Sequence, residues 1–538
     1  MVAYLLVLSS LQSIQDSLRK RKMKTILRIS LGLFLAFIVV SCTRSTQKKV
    51  AQMRYLAPQD AVIYPNYETG VAIPCNIAPL NFYILPEHKA YTLKAYGQGR
   101  DTLRLKGRYR VAFPPQHWHS LLAENFGGEI RVEMALSGAA DSLSRLAFVW
   151  QVRDSIDPYF SSRMIEPSYQ ICAFLQTIEY NLQESSSRVL FDNRLLDRSC
   201  ENCHTYAQNN GDYVVYHVRF HNTGTIIITP DSVLRVDQKS PVFPQGGVYP
   251  AWHPNKNIIA FGTSSAYPFV HSQDIVRRTE VYDSLGDIIL YDIARNLIYS
   301  EPRLMSQESE ETFPFWSPDG KWLYFCQSPN PPREEGEDDV DFSKKIHYNI
   351  VRIAYDAREN RFGRIDTVID GVGLGQTLSF PRLSPDGRFL TVCISDHGTF
   401  PIRHPESDLY ILALDGREGN GFVRRKGFLY PVKAMENGVN SPFTESYHTF
   451  SSNGRWLMFS SKREDNLYAR PYFTYVDSLG VAHRPFLLPQ RDPAMYLSLL
   501  KSFNVPEFSI KPIAVNAAKA QAYSTMPVKT PDSIVILK

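Results

Sequence analysis

One sequence unit occurs four times between residues 249 and 462, and it constrains the fold more than any other feature. Each copy joins an aromatic residue and a short apolar run to a second apolar run through a turn similar to Ser-Pro-Asp-Gly. The copies are YPAWHPNKNIIAFGTSS from Tyr249, FPFWSPDGKWLYFCQS from Phe313, FPRLSPDGRFLTVCIS from Phe380 and YHTFSSNGRWLMFSSK from Tyr447. The turn glycines Gly320, Gly387 and Gly454 follow one another at intervals of 67 residues. Since proline starts such a turn and glycine permits its exit, each copy predicts two strands.

The rest of each period has room for two further strands, as in DLYILALD and FLYPVKA. Four strands per repeat is the number found in a propeller blade. The units resemble the β-propeller repeats of the periplasmic protein TolB, and the resemblance covers about residues 212–490. It implies a mainly β protein with a TolB-like β-propeller of five or six blades. The strand that would close the ring is not identified by the sequence.

The first 42 residues predict a bacterial lipoprotein signal. A basic patch precedes the apolar run ILRISLGLFLAFIVV at 26–40, which is short for a membrane span and typical of a secretory signal. The following VVSC resembles the lipobox of bacterial lipoproteins, in which the cysteine, here Cys42, carries the lipid. Met23 is the expected start of this signal, and residues 43–54 are expected to form a tether. A short membrane anchor with an incidental cysteine is the alternative.

This resemblance implies a mature protein that is lipid-anchored in the cell envelope, with the outer membrane as the expected location and the leaflet left open. The overall charge does not suggest a nucleic-acid partner, because 59 basic residues face 54 acidic ones and no basic stripe occurs beyond the N-terminus. A serine hydrolase is not expected either, since the chain contains no Gly-x-Ser-x-Gly string. No phosphate-binding loop or dinucleotide fingerprint occurs.

Residues 55–165 contain short apolar runs divided by proline and glycine, and they predict a small β-sandwich-like domain. In the next segment, SYQICAFLQTIEYNL has helix-like spacing of its apolar residues, so residues 166–211 predict a helical junction before the propeller. Residues 491–538 remain as a C-terminal extension. Junctions between domains commonly hold ligand sites.

The junction carries the most specific chemical motif of the chain, RSCENCHTY at 198–206. The string Cys-x-x-Cys-His indicates covalent attachment of c-type haem. In that chemistry the thiols of Cys200 and Cys203 add to the haem vinyl groups, and His204 becomes the proximal iron ligand. On a helical turn the two thiols would point the same way. A disulfide-exchanging thiol pair and a zinc corner are the alternatives.

The chain departs from ordinary cytochromes c after this motif, because no methionine occurs between Cys203 and Met305. The resemblance to cytochromes c is therefore limited to the haem-attachment motif and does not extend to their fold. The second axial ligand has to come from elsewhere, or the iron is five-coordinate. The candidates are His217, His221, His253, His271 and Met164.

Two functions follow from these patterns. In the first, the protein is an envelope lipoprotein with one covalent haem c that transfers electrons or senses redox state or a ligand. Its propeller would then be the platform on which a redox partner or another envelope protein docks. In the second, it is a non-enzymatic TolB-like scaffold or interaction protein, and the CENCH motif is structural, a thiol pair or a metal site.

Overall fold

The computed structural model describes ten stretches of the chain. They are residues 49–57, 59–68, 70–86, 88–138, 143–167, 174–270, 279–414, 422–425, 428–431 and 437–537. The predicted signal with Cys42 lies outside these residues, and so does His271. In the described part of the chain no helix has the length and apolar character needed to cross a membrane.

The N-terminal domain is built from eight strands and one helix, preceded by a helical segment at 49–53 that lies in the predicted tether and buries Val50 and Met53. They are β1 (Ile63–Tyr64), β2 (Val71–Pro74), β3 (Phe82–Ile84), β4 (His88–Tyr96), β5 (Thr102–Gly107), β6 (Arg110–Val111), α1 (Pro115–Glu124), β7 (Glu129–Gly138) and β8 (Leu143–Arg153). A five-stranded sheet has the order β2-β8-β7-β4-β5, and a small sheet has the order β1-β3-β6. Helix α1 buries Trp118, whose ring centroid lies 5.6 Å from that of Trp150 in the larger sheet. The strands show that this region is mainly β, and the helix was not predicted.

The remaining elements follow in chain order. The strands are β9 (Tyr159–Ile165), β10 (Gln176–Asn181), β11 (Ser186–Asp192), β12 (Cys200–Ala207), β13 (Asn210–Arg219), β14 (Gly224–Thr229), β15 (Ser232–Val236), β16 (Gly247–Trp252), β17 (Ile258–Thr263), β18 (Ser265–Val270), β19 (Thr279–Ser284), β20 (Ile288–Asp292), β21 (Leu297–Ser300), β22 (Ser309–Trp316), β23 (Trp322–Pro329), β24 (Asn349–Asp356), β25 (Arg361–Ile369), β26 (Thr377–Leu383), β27 (Phe389–Ser395), β28 (Asp408–Ala413), β29 (Phe422–Arg425), β30 (Phe428–Pro431), β31 (Glu445–Phe450), β32 (Trp456–Ser461), β33 (Arg470–Tyr475), β34 (Phe486–Leu487), β35 (Ser502–Ser509) and β36 (Ser533–Ile536). Three short helices accompany them, α2 (Asp339–Ser343), α3 (Gly371–Leu374) and α4 (Ala517–Ser524). Single 3₁₀ turns cover Asn193–Leu195, Pro302–Leu304, Pro401–Arg403 and Pro493–Leu497.

These strands form six main sheets, which we number 1 to 6. The first strand of a sheet is the one written first in the strand orders that follow. Sheet 1 is β12-β13-β14-β15, sheet 2 is β16-β17-β20-β21-β36, and sheet 3 is β22-β23-β24-β25-β30-β29. Sheet 4 is β26-β27-β28, sheet 5 is β31-β32-β33-β34, and sheet 6 is β35-β9-β10-β11. The separate hairpin β18-β19 is inserted between two strands of sheet 2.

The first strands of the six sheets contact one another in a cyclic order. Strand β12 contacts β16, β16 contacts β22, β22 contacts β26, β26 contacts β31, β31 contacts β35, and β35 contacts β12. Sheet 6 pairs β35, from the predicted C-terminal extension, with β9, which lies more than 300 residues earlier. The described chain is therefore mainly β and propeller-like.

The predicted Ser-Pro-Asp-Gly turns join the first two strands in sheets 3, 4 and 5. Gly320, Gly387 and Gly454 have φ angles of +72°, +70° and +66°, which glycine adopts without strain. In each turn the serine hydroxyl accepts a hydrogen bond from the backbone N–H of the first residue of the second strand, at 3.0 Å, 3.0 Å and 3.1 Å. The predicted two-strand units are thus present in the structure.

The predicted helical junction is wrong. The described part of residues 166–211 contains β10, β11 and β12 instead of a helix. Strand β10 pairs with β9 on one side and β11 on the other, so Ile178 lies opposite both Ser162 and Val189. Strand pairing of this kind satisfies the backbone groups on both edges, and it overrides a helix-like spacing of apolar residues. The CENCH motif consequently belongs to the first strand of sheet 1.

Candidate functional site

Each of the six first strands has a β-bulge at the same place. One extra residue there shifts the pairing with the second strand. The residue with positive φ at each bulge is Cys203 (59°), Tyr249 (50°), Phe313 (51°), Phe380 (52°), Tyr447 (30°) or Val505 (46°). Side chains of this size rarely adopt positive φ, but bulges re-aim side chains at functional places. Because the feature occurs once in each sheet, it belongs to the fold and not to the CENCH motif alone.

Four of the six bulge residues are aromatic, and their rings contact one another in series. The ring centroids are 4.7 Å apart between Tyr249 and Phe313, 4.0 Å between Phe313 and Phe380, and 4.7 Å between Phe380 and Tyr447. We call these four residues the aromatic belt. The corresponding residue is Cys203 in sheet 1 and Val505 in sheet 6.

The bulge residues line a central cavity to which the first strands of all six sheets contribute. The cavity measures about 1030 Å³, counting its solvent-open part. Its apolar wall is the aromatic belt with Cys203 and Val505. The charged groups in the wall are Arg163, Arg382, Arg403 and Lys462, against Glu166 and Glu507. A cavity with a mainly apolar wall and a few charged groups is typical of a small-molecule or cofactor site.

Two charged groups of the cavity titrate near neutral pH. Burial, helped by the nearby Arg403 charge, lowers the pKa of Lys462 to about 7, and its Nζ donates a hydrogen bond to the Ile402 carbonyl oxygen at 2.7 Å. Burial raises the pKa of Glu507 to about 7, although Arg382 lies 3.6 Å away. Both groups lose a proton over the same range, so the cavity becomes less positive as the pH rises through 7.

His204 is one of the residues that line this cavity, and its imidazole is buried and neutral. It is 4% exposed, and its Nε2 atom is buried without a hydrogen-bond partner. Burial, and secondarily the positive charge of Arg163, lowers the pKa of His204 to about 3. A neutral ring with an unpartnered nitrogen is the form in which histidine binds a metal ion.

The two cysteines of the motif lie in different surroundings. Cys203 lines the cavity, and burial raises the pKa of its thiol. Cys200 packs in a small apolar cluster with Ile165 and Leu175, and it does not line the cavity. The expectation that both thiols point the same way assumed a helical turn, whereas the motif forms a bulged strand. The structure brings together Cys203 and His204, but it does not bring Cys200 to the same wall.

None of the four described candidates for the second axial ligand lines the cavity. His217 Nδ1 lies 2.9 Å from Thr225 Oγ1. One ring nitrogen of His253 lies 3.2 Å from the Gly320 carbonyl oxygen, and the other accepts a hydrogen bond from a backbone N–H. Met164 is buried in the apolar core, and His221 is exposed. The fifth candidate, His271, lies outside the described residues.

A sequence signal for this placement was available. CHTYAQNNG from Cys203 is similar to YHTFSSNG from Tyr447, with histidine, threonine, an aromatic residue and Asn-Gly in the same order. In this comparison His448 corresponds to His204. His448 is also buried, burial lowers its pKa to about 3, and its Nδ1 lies 3.5 Å from Cys393 Sγ. His448 does not line the cavity, so it is a matched reference for His204.

No protein-family model matches the chain, and no curated protein matches it. Among solved structures, a puromycin-hydrolyzing peptidase of Mycobacterium tuberculosis is 16% identical with a TM-score of 0.30, and the match covers 54% of this chain and 39% of the peptidase. Prolyl oligopeptidase B of Galerina marginata is 11% identical with a TM-score of 0.32, over 61% of this chain and 44% of that one. The chain thus spans less than half the length of either peptidase.

A hydrazine synthase chain of Kuenenia stuttgartiensis is 10% identical with a TM-score of 0.31, over 77% of this chain and 98% of that one. At these identities and TM-scores the three matches describe similarity only. No activity, substrate or cofactor passes from them to this chain.

Proposed function

We propose that the central cavity holds one c-type haem, which is attached through Cys203 and bound at its iron by His204. The haem supplies one-electron chemistry or a ligand-binding iron, so the protein acts in electron transfer or in redox or ligand sensing. The observation that carries this proposal is the buried, unpartnered Nε2 of His204, a residue that lines the cavity next to Cys203. The Cys-x-x-Cys-His string supports haem attachment as the chemistry of Cys203 and His204.

The cavity wall fits such a group in two respects and departs from it in one. The aromatic belt offers an apolar surface to a flat macrocycle, and four basic residues can pair with its carboxylates. Cys200, however, packs with Ile165 and Leu175 in its apolar cluster and does not line the cavity. We therefore assign the principal thioether bond to Cys203 and give Cys200 the weaker role.

The rest of the proposal concerns architecture and location. The cyclic contacts of the first strands support a closed propeller of six blades, in which β35 completes the blade formed with β9, β10 and β11. The lipoprotein signal and Cys42 lie outside the described residues, so the lipid anchor and the envelope location rest on the sequence. The propeller would present the docking surface for a redox partner or another envelope protein.

The haem is tested on protein secreted by a host that attaches c-type haem. We expect the denatured wild-type chain to keep its colour and to gain the mass of one haem. Cys203→Ala should abolish attachment, whereas Cys200→Ala should leave at least about half of the chains loaded, because its thiol lies outside the cavity wall. His204→Ala should change the absorption spectrum and the potential, since the axial ligand governs both. A six-coordinate wild-type spectrum would favour electron transfer, whereas a five-coordinate one would favour sensing or the binding of a small ligand.

His448→Ala is the matched control, because this buried histidine has the equivalent position in sheet 5 and no contact with the cavity. It should leave the haem spectrum and the loading unchanged. A folded, secreted wild-type chain without colour would rule out the haem. Equal loss of haem from His448→Ala and His204→Ala would show that both substitutions act through folding.

A second candidate function has its own support. His448 demonstrates that the fold accepts a buried neutral histidine next to a bulge, so His204 can be a wall residue of a cavity that binds a diffusible anion. The four basic residues in the wall favour an anionic, partly aromatic ligand. This candidate corresponds to the interaction-protein interpretation of the sequence.

This candidate predicts a pH-dependent affinity in protein made without haem attachment. The binding of 8-anilinonaphthalene-1-sulfonate should weaken about tenfold between pH 6 and pH 8.5, because Lys462 loses its positive charge and Glu507 becomes negative, both with pKa values of about 7. Lys462→Met should weaken binding at pH 6 and flatten the profile. The exposed turn residue Lys321 provides the control, Lys321→Met, which should bind as the wild type does. An affinity independent of pH would contradict the candidate.

A further inference from the structure

A second cluster of ligand-type side chains lies beside the cavity and is not part of it. Glu280 on β19, His397 after β27, and His404 after the 3₁₀ turn Pro401–Arg403 each offer one donor atom, and these atoms lie within 4.8 Å of one another. All three residues are buried. Two imidazoles and a carboxylate that converge away from solvent form a donor set typical of transition-metal sites.

The contact between His404 and Glu280 is close, but it is not aligned as a hydrogen bond. His404 Nε2 lies 3.1 Å from Glu280 Oε2, and the side chains are 0% and 1% exposed. Neither atom has a hydrogen-bond partner among the described residues. Both atoms belong to the group of three donors that lie within 4.8 Å of one another. His397 supplies the third donor, and its ring centroid lies 4.9 Å from that of His404 with the two ring planes at 87°.

The opposite nitrogen of His404 is held by another carboxylate. His404 Nδ1 lies 3.1 Å from Glu406 Oε1. If Nδ1 carries the proton and donates it to Glu406, Nε2 presents its lone pair to the space shared with Glu280. A carboxylate that orients a histidine in this way is the usual outer partner of a metal-bound imidazole.

The backbone leaves room next to Nε2. Gly398 has a φ of +82°, and a Cβ atom built there would lie 2.9 Å from His404 Nε2 and 3.9 Å from a Glu280 carboxylate oxygen. Any other residue at position 398 would therefore intrude on the donor atoms and would also be strained. Glycine keeps this side of the cluster open.

The simpler explanation is an ion pair without metal. Burial opposes a charged imidazole, but Glu280 and Glu406 outweigh it and raise the pKa of His404 to about 9. An imidazolium between two carboxylates would account for these three residues. It does not require a third ligand-type side chain at this point, and the donor atom of His397 lies within 4.8 Å of those of Glu280 and His404.

We propose that Glu280, His397 and His404 bind one divalent transition-metal ion of the zinc class, with Glu406 orienting the ring of His404. A water molecule would complete the four-coordination of the ion, and because the site is buried between two elements we assign the metal a structural role. It would link the β18-β19 hairpin inserted in sheet 2 to the loop that follows β27 in sheet 4. Val281 and Arg403, the chain neighbours of Glu280 and His404, line the central cavity, so the metal would hold the rim of that cavity in place.

The test uses the full chain after treatment with a chelator, and it titrates Co²⁺ and Zn²⁺ separately. We expect one Co²⁺ per chain with the visible absorption of a four-coordinate nitrogen and oxygen site, and a higher melting temperature with Zn²⁺ than without it. His397→Ala and Glu280→Gln should each weaken metal binding at least about 100-fold. Glu406→Gln should weaken it about 10-fold to 100-fold, as expected for a residue that orients a ligand.

The buried His217 supplies the control, because it lies in sheet 1 and contacts Thr225. His217→Ala should bind Co²⁺ with wild-type affinity. The wild-type titration and melting curve test the site even where a variant fails to fold. A folded wild-type chain that takes up no Co²⁺ or Zn²⁺, or variants that bind as tightly as the wild type, would overturn the proposal. The result is independent of the haem, because the readouts are cobalt absorption and zinc stabilisation and not iron.

Discussion

A chain that ends at residue 501 is expected to lose cooperative folding. It lacks β35, which pairs with β9 in sheet 6 and contacts the first strands of sheets 1 and 5. Phe503 and Phe508 on this strand are buried, at 2% and 1% exposure. Removing a buried phenylalanine side chain typically costs about 3–5 kcal/mol, so the loss of two approaches the whole net stability of an ordinary protein, about 5–15 kcal/mol.

Circular dichroism and limited proteolysis against temperature measure this effect. The control is a chain that ends at residue 531, which lacks only the edge strand β36. That strand is largely exposed and pairs in parallel with β21 alone, so its removal should lower the melting temperature only slightly. A chain ending at 501 that melts cooperatively near the wild-type temperature would show that β35 does not complete sheet 6.

Trp456→Ala is expected to lower the free energy of unfolding by about 3–5 kcal/mol. The side chain is fully buried at the start of β32, where its ring lies 5.2 Å from Tyr475 and 6.2 Å from Phe486. Its Nε1 donates a hydrogen bond to the Asp154 carbonyl oxygen at 3.0 Å, which connects sheet 5 to the end of the N-terminal domain. The substitution therefore leaves a cavity and an unpaired carbonyl. Urea denaturation followed by circular dichroism measures the loss.

Trp322 provides the matched control, because it starts the second strand of sheet 3 as Trp456 does in sheet 5. Its ring is only partly buried and lies under the Arg352 guanidinium, 4.2 Å from the ring centroid. Trp322→Ala should cost about 1 kcal/mol, the order of a partly exposed cation–π contact. Equal losses for the two variants would contradict the assignment of Trp456 to a shared core.

The strand units and their turns were predictable because their causes are local. Proline and glycine set the turn, and the serine hydroxyl caps it within five residues, so the pattern of three turns at equal spacing already describes the hairpins. The same local reasoning failed for residues 176–192. There the spacing of apolar residues resembled a helix, and only the presence of β9 beside β10 makes the strand the better solution.

Part of the candidate site was likewise predictable from the sequence, and part of it was not. The residue types of the CENCH string indicated a possible haem chemistry. The similarity of CHTYAQNNG to YHTFSSNG indicated that Cys203 lies in the first strand of a sheet, as Tyr447 does. The separation of Cys200 from Cys203 was not predictable, because it depends on a bulge whose direction is set by pairing with β13. The cluster of Glu280, His397 and His404 was equally hidden, since its members come from an inserted hairpin and from a loop of another sheet.

The sequence by itself determined the repeated two-strand units, the turn chemistry and the presence of a Cys-Cys-His motif, since each depends on residues a few positions apart. Only the tertiary structure decided that β35 joins β9, that the six bulge residues line one cavity, and that His204 lines it while His217 and His253 do not. The physical reason is that these features depend on pairing between distant strands. Burial and hydrogen-bond satisfaction of the whole set of sheets select that pairing, and no single segment encodes it.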